Sequence, residues 1–164
     1  MEIDVTDAVH PVLFNSPLET GVRTVVLLDA AAPEALDLTH LTWLDHLVVH
    51  TEDLPEGPLS LHPDIPQRSG ELIVRRQNVE EGLRLMARLH MVEARYSAEG
   101  IAYAATEESA HFVQLIRTAY GRALKDRAKW LIEYVTHSDP AFLVNLIKEK
   151  VGRWTIEFQG EGAP

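Results

Sequence analysis

His46 and His50 stand four residues apart, a spacing that turns two imidazoles to one side of a helix and lets both grip one metal ion. Asp45 adjoins them, and His40 and His62 are near in the chain. The stretch reads His46-Leu47-Val48-Val49-His50, without the glutamate that zinc hydrolases carry between their histidines. A third ligand has to come from the loop beyond. Surface or half-buried histidines, and no metal, are the simpler expectation. Nucleophilic catalysis has less to offer. Neither a G-x-S-x-G elbow nor an S-x-x-K arrangement placed for catalysis occurs, and Ser69-Gly70 reads as a helix cap. Gly-rich phosphate loops are missing. The 25 carboxylates are too many and too scattered for any two to be paired as acid and base. The expectation is therefore of no enzyme, no catalytic residue and no cofactor.

Arginines are the other chemistry-bearing group. Arg75, Arg76, Arg84 and Arg88 fall on one helical segment, where they can meet phosphates, guanine edges or a protein partner. Arg95 lies on a hairpin just after. A basic run holds Arg117, Arg122, Lys125, Arg127 and Lys129 against Asp126. The bland alternative is a solvated face with i, i+4 pairs such as Glu80 with Arg84.

The elements that carry these residues are well signalled. Ser16-Pro17-Leu18-Glu19 is a capping box with proline at the first helical position. Leu18, Val22, Val25 and Val26 follow at helical spacing, and the helix ends near Ala30 to Ala32, before Pro33. Residues 11–15 form an extended lead-in. A second helix begins near Asp37 with Leu38, Leu41, Leu44, Leu47 and Val48 as its apolar stripe; Trp43, Asp45, His46 and His50 lie largely off it. Pro55, Gly57, Pro58, Pro63 and Pro66 break the pattern into a long loop. A third helix over about 71–90 turns Val79, Leu83, Met86 and Leu89 to a core, and Gly82 in its interior marks a close helix contact. The period then changes to alternation, with a turn at Ala98-Glu99-Gly100, which predicts a β-hairpin. The fold expected is mostly α with a β-hairpin wing. It is a winged helix-turn-helix-like domain over residues 11–106. A C-terminal part over 107–164 follows: a long helix to about Val135, bent near Gly121, a further helix from Ser138, and a short terminal strand at Trp154 to Phe158. Residues 160–164 read as a frayed tail.

At 164 residues, 46% of them apolar and 24% charged, the chain has the make-up of an ordinary globular domain. No apolar run approaches the roughly 20 residues of a membrane span. The acidic N-terminus has no secretory pattern, and the chain has no cysteine. A cytoplasmic protein is expected. The net charge of -10 is unevenly spread: residues 1–67 hold twelve acids and one base, Arg23, whereas residues 68–164 hold fourteen bases and thirteen acids. A free-standing nucleic-acid binder is normally basic. Two halves of unlike charge suit a subunit that meets two protein partners.

Several stretches resemble a known family. Phe14-Asn15-Ser16-Pro17-Leu18-Glu19-Thr20-Gly21-Val22-Arg23 resembles an opening F-N-x-P-x-E-x-G-x-R, with Ser16 where a second Asn is often seen. Leu44-Asp45-His46-Leu47-Val48-Val49-His50 resembles its L-D-x-L-V-x-H. Ser60-Leu61-His62-Pro63, then Arg68-Ser69-Gly70-Glu71-Leu72, resembles its S-L-H-P and R-S-G-E-L. Together they look like the second type of middle component of ABC three-component bacterial conflict systems, the group that includes Lamassu-type anti-phage defence. The resemblance implies a non-catalytic adaptor between an SMC-like or Rad50-like ATPase and a nuclease-like effector, reaching DNA through the complex and no membrane. It brings no catalytic residues. Asn15, Pro17, Glu19, Arg23, His62, Arg68 and Glu71 are read as structural, with Glu19 as a cap and Arg23 in a buried salt bridge. A winged-helix transcription regulator is the alternative.

Overall fold

Ser16 starts the first helix as expected. Its hydroxyl accepts from the Glu19 N–H at 3.2 Å, and Pro17 occupies the first turn of α1, Pro17–Ala31. The computed structural model describes residues 16–63, 71–142, 144–146 and 148–149. The lead-in at 11–15 with Asn15, the cap at Ser69, Arg68, the strand at Trp154 to Phe158 and the tail lie outside the described residues. So does the side chain of Glu71.

A two-residue strand, β1 (Leu36–Asp37), comes next. It has no counterpart in the sequence reading, because two residues carry no detectable alternation. Asp37 also caps α2, Leu38–Val49, accepting from the His40 N–H at 2.8 Å. After a single turn of 3-10 helix (Thr51–Asp53) the Pro-rich loop leads to α3, Glu71–Arg88. Strands β2 (Val92–Ser97) and β3 (Gly100–Ala105) form the hairpin. Helix α4 (Glu107–Leu115) and helix α5 (Ala119–His137) follow. Residues 140–142, 144–146 and 148–149 are helical again. The sheet is antiparallel in the order β1-β3-β2, with Leu36 opposite Tyr103 and Val92 opposite Ala105. No helix among the described residues is long and apolar enough to cross a membrane.

Two expectations are corrected. The long helix is broken at Ile116-Arg117-Thr118, upstream of Gly121. Thr118 takes extended backbone and its hydroxyl accepts from the Gly121 N–H at 3.0 Å, so a fresh helix is capped where one helix was expected to continue. Leu89 does not face the core. Helix α3 ends one residue earlier, His90 adopts a left-handed φ of 59°, and the Met91 N–H reaches back to the Met86 carbonyl at 2.9 Å, leaving Leu89 52% exposed.

Helix α1 is the centre of the packing. Val25, Val26, Leu27 and Leu28 are buried on it, and it touches α2, α3, α4, α5 and β3. One apolar cluster joins these to Leu41, Leu44, Leu47 and Val48 of α2, Val79, Leu83 and Met86 of α3, Val113 of α4, and Leu124, Ala128 and Leu131 of α5. The closest helix approach is between α1 and α3 at Gly21 and Gly82, where neither residue has a side chain to hold the backbones apart. A methyl group on Gly82 would lie 2.8 Å from Gly21 N and 2.9 Å from both Gly21 Cα and the Pro17 carbonyl. These are backbone atoms of a packed helix and cannot swing aside. Gly82→Ala is therefore expected to destabilise the fold by about 1–3 kcal/mol through overpacking, despite a helix-propensity gain of about 1 kcal/mol. Urea unfolding checks this, and an unchanged or raised midpoint refutes the close crossing.

Candidate functional site

The chemistry-bearing residues converge on the interior. Asp45 of α2 is fully buried, yet it sits in a run of apolar residues. A bare carboxylate there would cost several kcal/mol. Two arginines reach it from different helices. Arg23 of α1 approaches with both faces of its fork, Nε to Oδ1 at 2.8 Å and Nη2 to Oδ2 at 3.2 Å. Arg75 of α3 donates from Nη1 to Oδ2 at 2.6 Å and to the Asp45 carbonyl at 3.2 Å. Arg23 also donates to Thr20 Oγ1 at 3.2 Å. Arg23 is 2% exposed and Arg75 5%. Burial pushes the Asp45 carboxyl up, but Arg23 and Arg75 outweigh it and hold it below the ordinary carboxylate value. Burial likewise opposes the Arg23 charge, and Asp45 more than restores it.

Around this triad runs a chain of rings. His46 Nε2 is 3.0 Å from Asp53 Oδ2 in the 3-10 turn. The His46 and His50 rings lie 4.6 Å apart, and the His50 and His62 rings 6.2 Å apart. His62 Nε2 is 2.8 Å from the Tyr120 hydroxyl on α5. Burial, with Arg23, His50 and Arg75 close by, lowers the His62 pKa from 6.5 to about 4, so at neutral pH the ring is uncharged where it hydrogen-bonds the Tyr120 hydroxyl. Burial raises the Tyr120 phenol, so it too stays uncharged at neutral pH.

The Pro-rich loop brings His62 there and is tied down to do so. Leu61 and His62 N–H both donate to the Val49 carbonyl, Thr51 Oγ1 donates to the Pro58 carbonyl, and Glu52 and Ser60 exchange side-chain-to-backbone bonds. Arg127 Nε on α5 donates to the Leu59 carbonyl at 3.0 Å. A polar recess of about 400 Å³ opens beside it, lined by Glu52, Asp53, Ser60, Leu61, His62 and Pro63. Among the described residues, no three His, Asp or Glu side chains come together in a metal-holding group.

The structure thus sorts the candidate residues. Arg75 is a correction: it was placed on a contact face, but it is buried and spent on Asp45, because α2 is covered on a second side that its apolar stripe does not reveal. His46, His50 and Asp45 are buried for the same reason. Arg23 forms the expected buried salt bridge, Pro17 sits in the first turn, and Glu19 meets the Ser16 cap through its backbone N–H. Arg76 Nη1 donates to Thr39 Oγ1 at 3.1 Å. Arg84 pairs with Glu80 at 2.7 Å and Arg95 with Glu93 at 3.0 Å. Lys125 Nζ donates to the Val113 carbonyl. Arg88, Arg117 and Arg122 are exposed and no single face gathers them. On α5, Arg122, Asp126, Lys129 and Glu133 recur along one exposed face with alternating sign. Tyr120 and Asp53 were missed. Tyr120 carries no signal in the sequence, whereas Asp45 had one, a lone acid within an otherwise apolar helical run.

Two outcomes follow. Asp45→Asn leaves two buried arginines facing a neutral amide and is expected to cost about 3–5 kcal/mol, measured by urea unfolding; a loss below about 1 kcal/mol, as for an exposed pair, would refute the triad's burial. For His62 the unfolded chain takes its proton near 6.5 and the folded chain only near 4. Between those values the unfolded state binds more protons, so folding weakens as pH falls through that window and is unaffected by this group above it. His62→Gln should flatten the part of the pH 7 to pH 5 stability slope that His62 supplies; an unchanged slope refutes the assignment.

A scan of family models finds a match over residues 13–157 to the ABC-three component (ABC-3C) system Middle Component 2. No curated protein and no solved structure matches the chain. The matched span contains the whole triad, the histidine chain and the Pro-rich loop. By that match the chain belongs to the Middle Component 2 family of ABC-three component systems.

Proposed function

We propose that the protein is a non-catalytic adaptor subunit of a bacterial anti-phage or anti-plasmid defence complex of Lamassu type. It links an SMC-like or Rad50-like ABC ATPase to a nuclease-like effector in the cytoplasm. The observation that carries this reading is the family match across residues 13–157, since a middle component of a multi-component system has protein partners. The interior supports it: the residues best suited to chemistry, Arg23, Asp45, Arg75, His46 and His62, are engaged in joining helices to one another. The uneven charge suits two unlike partners.

The finer fold proposed is a winged helix. The order α1-β1-α2-α3-β2-β3 with the sheet β1-β3-β2 supports it, and it is also what favours the second reading, a DNA-binding regulator. Against that reading, Arg84 and Arg95 are matched by Glu80 and Glu93, and Arg75 is buried. DNA is then met through the complex.

The test is co-expression with the coiled-coil ATPase and the effector encoded beside this chain. Retention of both through affinity purification and gel filtration is the expected result, with no hydrolytic activity in the chain alone. Failure to join the ATPase overturns the adaptor. Salt-dependent binding of a short duplex by the isolated chain, lost with Arg76→Ala and Arg88→Ala together, replaces it with the regulator.

A further inference from the structure

Among the described residues, strand β2 is bordered by β3 on one side and by no strand on the other. Ser97 and Gly100 face each other across a two-residue loop, so they exchange both backbone hydrogen bonds, and hydrogen-bonded pairs alternate from there. Arg95 with Ala102 and Glu93 with Ala104 are the next such pairs. The N–H and C=O groups of Val92, Ala94 and Tyr96 therefore point the other way, out of the open edge. Their side chains share the face of the ribbon that runs into the core: Val92 is buried at its base, while Tyr96 is 78% exposed and Ile101, opposite it, 46% exposed. Glu93 and Arg95 share the other face, where they touch at 3.0 Å.

We infer that β2 is a self-complementary edge through which two copies of this chain pair antiparallel, centred on Ala94. In that register Ala94 faces Ala94 of the second copy and Val92 faces its Tyr96. Each such facing pair is of the kind whose outward N–H and C=O groups close two hydrogen bonds. Glu93 of each copy then stands directly opposite Arg95 of the other, in the non-hydrogen-bonded positions where side chains come closest. Centring on Glu93 or on Arg95 instead sets like charges opposite each other, Glu93 against Glu93 or Arg95 against Arg95. The smallest of the five central side chains thus falls on the two-fold axis. Charged residues on an open edge ordinarily ward off pairing. Here their opposite signs, placed symmetrically about Ala94, invite one specific pairing. A second copy is the occupant because this edge complements itself in both charge and hydrogen bonding.

Sedimentation equilibrium on the full chain tests it, with a concentration-dependent dimer expected below about 100 µM. Ala94→Pro removes an outward N–H and leaves the β2–β3 ladder whole, so the variant should keep the wild-type unfolding midpoint and lose at least about tenfold in dimer affinity. Glu93→Arg and Arg95→Glu should each be monomeric alone, yet an equimolar mixture of the two should associate, because every facing pair is then of opposite sign. A chain monomeric throughout the range overturns the inference. So does a dimer indifferent to Ala94→Pro, or a mixture that associates no better than its components. Neither result bears on binding to the ATPase.

Discussion

A carboxylate taken wholly out of water is tolerable only if opposite charge goes with it, and Asp45 draws one arginine from each of two other helices. That requirement sets the geometry of α1, α2 and α3. Arg23 engages both carboxylate oxygens side-on, which fixes the direction from which α1 can approach, while Arg75 takes Oδ2 and the Asp45 carbonyl together, which fixes α3. Apolar contacts among these helices accept many small slides and rotations. Three hydrogen-bonded charges do not. Such an arrangement adds little net stability over an apolar substitute of the same shape, because desolvation offsets most of the attraction. Its effect is to penalise alternative packings, each of which would strand a charge.

Glycines at the α1–α3 crossing act with this constraint. Gly21 lies two residues before Arg23, and its closeness to Gly82 sets the interhelical distance that Arg75 has to span. The loop extends the same logic outward. Thr51, Glu52 and Ser60 consume the polar groups that a Pro-rich segment would leave bare, and His62 is thereby delivered to Tyr120 in the neutral form that burial, helped by the nearby arginines, enforces. A protonated imidazole at that position would add a positive charge beside two others. The loop and α5 are thus coupled electrically to the triad as well as by contact.

Local features were legible in the sequence and distant ones were not. Ser16, Pro17 and Asp37 announce helix starts because capping involves atoms three residues apart. The hairpin shows because alternation and a turn signal are both local. Gly82 stood out because glycine inside a helix needs a reason. Arg23 meets Asp45 across 22 residues and Arg75 meets it across 30, and no pattern along the chain records such a meeting. Periodicity identifies one buried face of a helix; it is silent when loops and a third helix cover another, which is why Arg75, His46 and His50 looked exposed. The break at Thr118 was missed because one capping threonine weighs little against apolar spacing that continues on both sides. Those parts of the family motifs that fall within the described residues meet at the cap, the crossing, the triad and the loop.

That convergence bears on where partners attach. A substitution at Arg23, Asp45 or His62 acts first on folding, so loss of function there says nothing about an interface. Two of the cationic side chains on the surface are matched by acids within the chain, Arg84 by Glu80 and Arg95 by Glu93, and the outer face of α5 alternates in sign. Apolar exposure on this framework includes Ile73 and Val74 on α3 and Tyr96 and Ile101 on the hairpin. A hairpin that projects beyond its core gains nothing for monomer stability by displaying a tyrosine and an isoleucine opposite each other. Nor would a phosphate backbone favour that pair over arginines. Apolar exposure on an element anchored firmly at Val92 presents a rigid face at low entropic cost, the condition under which a modest contact area yields useful affinity. Burying the triad and exposing the hairpin are thus two sides of one division of labour: the buried charges specify the fold, and the hairpin tip is left free of the core.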